Sequence, residues 1–159
     1  MERKRLYAGV LAVMWMCMIF AFSAQESEES GEVSGALSQQ IVSSVDKFFH
    51  INLDDEELLR IAEAIETPLR KAAHMAEYAV LSVLIYIWIG KWQAAVAFAA
   101  LYAVSDEVHQ LFVPGRAGRF SDVIIDSMGA LLGVFIFMGV KKCIISLRNR
   151  RRYREQKSS

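Results

Sequence analysis

Cysteine is scarce in this chain: 159 residues hold two, Cys17 in the middle of one apolar run and Cys143 near the end of another. Two such positions exclude a disulfide framework, and both read as small packing or lipid-facing residues. Net charge is missing as well, with 18 basic residues against 18 acidic ones. The balance hides a strongly acidic stretch and a strongly basic tail, separated by long runs with almost no charge, which is how a membrane chain with polar loops is written. The sequence has no internal repeat and no low-complexity segment. It also lacks a zinc signature such as two histidines one turn apart around a glutamate. Its length suits one domain, 1–159, and nothing in it suggests a nucleic-acid partner.

What is present is a series of apolar segments at 6–23, 72–90, 92–113 and 121–140. Each approaches the ~20 residues that a spanning helix needs. The first follows the basic MERKR and reads as a retained anchor, the alternative being a cleaved signal segment ending near Ser23 and Ala24. The links at Gly90-Lys91 and across Val113 to Arg119 are short, so neighbouring helices run antiparallel. These features predict an all-α bundle of four transmembrane helices.

The outer loop 24–71 is acidic. Asp54 or Asp55 is placed to cap a helix carrying Leu58, Leu59, Ala62 and Ile65, which the Thr67-Pro68 pair should break. Val33, Leu37, Ile41 and Val45 form a second, shorter amphipathic stripe. Both helices are expected to lie along the membrane surface or over the mouth of the bundle. With both termini inside, the cytoplasmic face collects twelve of the eighteen lysines and arginines, including the tail 141–159. The positive residues thus orient the chain, put the acidic loop outside, and place Trp88 and Trp92 at the inner interface. The tail can also touch anionic headgroups.

The acids Glu77, Asp106, Glu107, Asp122 and Asp126 lie inside or at the edges of apolar segments. A charge facing lipid at mid-depth costs about 2.5 to 3.5 kcal/mol, so these side chains must face inward, sit shallow, or both. Counted from the outer end of each segment, Glu77 and Asp126 are ~8 Å deep and Asp106 and Glu107 ~9 to 11 Å deep, all in the outer half. His74 and Glu77 share a face at i, i+3, as do Asp106, His109 and Gln110. Asp122 and Asp126 share another face, which continues through Gly129 and Gly133 and there admits a close neighbour. Arg116 and Arg119, between two acid-bearing segments, are the natural counter-charges.

A plainer reading stands beside each residue. A carboxylate near Arg or His can be a buried ion pair that sets helix register. Asp122 can cap its own helix, Tyr78 can be packing, His50 a surface histidine, and Ser105 a helix-to-helix hydrogen bond rather than a nucleophile. As a set, the acids, histidines and arginine offer three chemistries. They suit a divalent cation, acid–base work beside a histidine with Arg116 on an anion, or proton relay and headgroup binding without reaction.

At these residues the sequence resembles the VanZ-like family of bacterial membrane proteins. The resemblance runs through FSAQ at 22–25, KAAHMAEY at 71–78, and SDEVHQLFVPGRAGRFSDVIIDSMGALLG at 105–133. The acidic loop is longer than the family pattern leads one to expect. The resemblance implies a multi-pass protein of the cytoplasmic membrane with a cell-envelope role, whose founding member is associated with low-level resistance to the glycopeptide teicoplanin. It supplies no reaction, and whether the chain is an enzyme stays open. On this reading His74, Glu77, Asp106, Glu107 and Asp126 are the candidate catalytic groups. Lys71, Tyr78, Ser105, Gln110, Arg116 and Asp122 are candidate ligand-holding groups, and the partner is a membrane lipid or lipid-linked envelope precursor. The alternatives are a proton-coupled or binding-only module, and a structural partner of an envelope complex recruited by the loop or tail.

Overall fold

The structure, a computed structural model, describes residues 2–24, 27–114 and 118–158, without the side chains of 27–30, 152, 154, 155, 157 and 158. The described residues form helices and no strand: α1 (Glu2–Ser23), α2 (Ser27–Phe49), α3 (Asp55–Ile89), α4 (Trp92–Gln110) and α5 (Phe120–Ser158). Helices α1, α3 and α5 are long and apolar enough to cross a membrane. Helix α4 has 19 residues, but Asp106, Glu107, His109 and Gln110 fill its last turns and lower its apolarity. It occupies the place of the expected 92–113 segment and stops earlier, with Leu111 as its C-cap.

Helix α3 is the hub, packing against α1, α2, α4 and α5, while α4 also packs on α5 and only lightly on α1. The core joins Ala12 and Ile19 of α1, Tyr78, Leu81 and Ile85 of α3, Ala95, Ala99 and Ala103 of α4, and Ala130 of α5. Alanines at every fourth position give α4 a flat face that lets other helices come near. The α3–α5 approach is closest at the glycines. A Cβ on Gly133 would lie 2.6 Å from the carbonyl oxygen of Ala79, and one on Gly129 would collide with the backbone of Met75. In this seam the Ser82 hydroxyl donates to the Ala130 carbonyl at 2.7 Å. The expected close neighbour of the glycine face is therefore α3.

The helix ends follow local chemistry. Asp54 caps α3 in a reciprocal box: its Oδ1 accepts from the Glu57 N–H at 2.8 Å, and Glu57 Oε2 accepts from the Asp54 N–H at 3.2 Å. At the other end Gly90 takes the left-handed conformation, φ 82°, that closes a helix most easily. Arg5 of α1 donates to the carbonyls of Trp88 and Ile89 at 3.0 and 2.8 Å, so one guanidinium satisfies two terminal acceptors.

One expectation about residues 24–71 needs correction. Thr67-Pro68 does not break the helix: α3 runs through Pro68 as one element of 35 residues. The carbonyl of Ala64, which Pro68 leaves without its helical donor, is on an exposed residue, as are Thr67 and Pro68 themselves, so solvent can satisfy it. Helix α2 does not use its apolar stripe to meet α3. Its inward face is Ser34, Ser38 and Val42, with Ser34 Oγ donating to Glu66 of α3 at 2.8 Å. Val33, Leu37 and Val45 are exposed and Ile41 half-buried. Small residues win the contact because they allow two helices to approach, and the hydroxyl of Ser38 is satisfied by the Ser34 carbonyl. Helices α2 and α3 thus make a hairpin on the extension of α3.

Candidate functional site

The site is assembled from the last turns of α4 and the facing turns of α3, α5 and α1. Asp106 and Gln110 are one turn apart on the inner face of α4, 3% and 7% exposed. Gln110 Nε2 donates to Ser23 Oγ at 3.0 Å and to Asp106 Oδ2 at 3.3 Å. The Ser23 hydroxyl donates to Asp106. These three side chains tie the C-terminal end of α1 to α4. Farther down the same seam the Tyr102 hydroxyl donates to the Met16 carbonyl at 2.6 Å, and Phe20 stacks on His109 with ring centroids 4.3 Å apart.

Glu107, one position on, turns toward the α4–α5 connection and accepts from the backbone N–H of Arg119 at 2.7 Å. The fold-back requires Gly118, because a Cβ there would sit 2.7 Å from the Glu107 carbonyl oxygen. From α3, His74 Nδ1 lies 3.4 Å from Glu77 Oε2, within ion-pair range but not as a hydrogen bond. Trp15 of α1 holds the Glu77 turn from behind, donating to its carbonyl at 2.9 Å. Tyr78 is wholly buried, with the charges of Asp106, Asp126 and Glu77 acting on its hydroxyl. From α5, Asp126 is 4% exposed and feels His74, Glu107, Asp106 and Asp122. At the rim Lys71 Nζ lies 3.5 Å from Asp122 Oδ1, both side chains partly exposed. Asp122 is thus paired across to α3 and does more than cap its own helix.

Five buried polar atoms in this layer have no hydrogen-bond partner among the described residues: Glu77 Oε2, Tyr78 OH, Asp106 Oδ1, His109 Nε2 and Asp126 Oδ1. Buried polar atoms are nearly always paired, and each orphan costs about 1 to 3 kcal/mol. They lie on turns of three helices, α3, α4 and α5. Among the described residues no group of three or more histidines, cysteines or acids is arranged to hold a metal ion.

The structure therefore brings together His74, Glu77, Tyr78, Asp106, Glu107, Gln110 and Asp126, with Lys71 and Asp122 at the edge. It does not bring in Ser105, which is exposed and donates to the Tyr102 carbonyl of its own helix at 2.7 Å; it is neither a helix-to-helix bond nor part of the layer. Arg116 lies outside the described residues. Ser23 and His109 join the layer without having been among the candidate site residues. Ser23 could have been found from its place in the FSAQ motif; the helical spacing already places His109 on one face with Asp106 and Gln110. A surface groove along Lys142, Ile145, Ser146, Asn149, Arg150 and Tyr153 is one face of the α5 extension alone. At ~1.5 Å per residue it lies ~24 Å or more along the helix from Asp126.

Fold and site together define a helical membrane protein with a buried layer of acids drawn from several helices. The chain belongs to the VanZ/LLP1 family, whose profile matches residues 8–145. No curated protein and no solved structure matches it.

Proposed function

We propose that this chain is a VanZ-like cell-envelope protein whose polar layer opens toward the outer leaflet and binds or modifies a polar lipid or lipid-linked wall precursor. The observation that carries the reading is the cluster of unpartnered buried atoms on Glu77, Tyr78, Asp106, His109 and Asp126. Helices α1, α3, α4 and α5 each cross the membrane, with both termini in the cytoplasm and the α2–α3 hairpin outside. Although α4 is the least apolar of them, its acids face the other helices, so lipid meets Phe98, Leu101 and Val104 instead. Lys71 and Arg119 stand at the outer rim, where the anionic part of a headgroup would lie, and Arg116 is assigned the same role. His74, Glu77, Asp106, Glu107 and Asp126 supply proton transfer if the bound group is also altered. A link to teicoplanin susceptibility follows from family membership.

Two substitutions that keep shape and remove charge test this. Glu77→Gln and Asp106→Asn proteins, shown to be inserted and folded, should lose most of the effect of the wild-type chain on glycopeptide susceptibility and on membrane lipid composition. Full activity in both variants would overturn the assignment.

A second reading is recruitment into an envelope complex. One observation favours it: Phe48, Phe49 and Ile51 at the turn of the acidic hairpin are 77%, 67% and 51% exposed. Replacing all three by serine would abolish function on that reading and leave it intact on the first.

A further inference from the structure

The unpartnered atoms are unequal in kind. Glu77 Oε2, Asp106 Oδ1 and Asp126 Oδ1 are carboxylate oxygens, Tyr78 OH gives and accepts, and His109 Nε2 does one or the other according to its tautomer. Acceptors thus outnumber donors, and among the described residues the cations that might correct the balance are elsewhere. Lys71 is paired with Asp122 at the rim, and Arg119 reaches Glu107 through its backbone N–H while its side chain is exposed. Among the described residues His74 is the basic side chain in ion-pair range of Glu77. A phosphate brings more acceptors and more negative charge, so it suits the rim and not the layer beneath it.

Resting on the lipid-binding reading above, we infer that the headgroup seated in this layer is a hydrogen-bond donor, an ammonium or a pair of hydroxyls, held by Glu77, Asp106 and Asp126 with Tyr78 behind them. Three independent facts support it. Tyr78 is wholly buried, yet its hydroxyl has no partner among the described residues. Asp106 and Asp126 come from different helices, are 3% and 4% exposed, and each keeps one oxygen free. His74 and Glu77 retain side-chain exposures of 26% and 20%, so the edge of the layer is reachable from the α3 side. A donor group entering there meets unfilled oxygens and leaves its phosphate near Lys71.

The test uses the purified full-length chain in mild detergent, offered four phospholipids with identical acyl chains, with retention read by native mass spectrometry. Phosphatidylethanolamine carries an ammonium with N–H donors, and phosphatidylglycerol carries two hydroxyls. Phosphatidylcholine carries a cation with no donor, and phosphatidic acid a bare phosphate. Retention of the ethanolamine or glycerol lipid by roughly tenfold over the other two is expected, since an unfilled buried acceptor costs about that much in affinity. Which of the two is retained tells ammonium from hydroxyl. Asp126→Asn and Asp106→Asn should each narrow the preference several-fold, and the wild-type ranking stands as a test even if a variant does not fold. Equal or better retention of phosphatidic acid or phosphatidylcholine overturns the inference and leaves lipid binding in place. A preference unchanged in both folded variants also overturns it, because the selectivity would then originate elsewhere. Retention of none of the four overturns the inference and the lipid-binding reading together.

Discussion

At the scale of single residues, the acids were legible because charge inside an apolar run is expensive, and Glu77, Asp106, Glu107 and Asp126 all turn inward as that cost requires. Serine carries no such signal. Ser105 and Ser23 look alike in a string of apolar letters, yet one faces outward and bonds its own helix, while the other is 1% exposed and joins Gln110 and Asp106. What separates them is the rotation of each about its helix relative to a neighbour, and no local pattern states that. Ser23→Ala should therefore weaken function nearly as much as Asp106→Asn, while Ser105→Ala leaves it unchanged, as the same susceptibility assay will show. The removed hydroxyl should also lower stability by about 1 to 3 kcal/mol, because a buried carboxylate and amide lose a shared partner; denaturation of the purified variant in detergent measures this.

At the scale of helices, apolar length and capping residues located α1, α3 and α5 and the start of α3, but they could not say which face meets which. The glycine pair of α5 is the exception, since a close approach demands small residues. Gly133→Leu must push α5 away from Ala79 and should cost about 1 to 3 kcal/mol or more, as overpacked sites do. Gly139→Leu is the matched control: nothing lies within 4 Å of its Cβ position, so its melting temperature should stay near wild type. The helices of the α2–α3 hairpin were legible but their joining was not, for two physical reasons. A proline at a water-facing turn does not stop a helix whose freed carbonyl can be hydrated, and serines packed more closely than the apolar stripe could. Asp54→Ala removes one bond of the capping box and should cost about 1 kcal/mol. The loss should be visible as faster amide exchange confined to the turn after Asp54, with the core of α3 unaffected.

At the scale of the whole molecule, the lysines and arginines predict an orientation, and on that orientation the polar layer lies in the outer half. A fusion of alkaline phosphatase after Phe49 should be active and one after Arg148 inactive, with the reverse pattern for a fluorescent protein that matures only in the cytoplasm. The central claim is convergence: Asp106 of α4 and Asp126 of α5 face each other across one layer instead of pointing separately at lipid. The direct measurement places cysteines at these two positions in a chain whose own exposed cysteines are replaced, Cys17→Ser and Cys143→Ser. A short bifunctional maleimide is applied to intact membranes, and the chain is then cut within a protease site inserted at the α4–α5 connection. The account predicts that the two fragments remain joined after cutting. Fragments that separate, although each thiol reacts singly with a membrane-soluble maleimide, would contradict it.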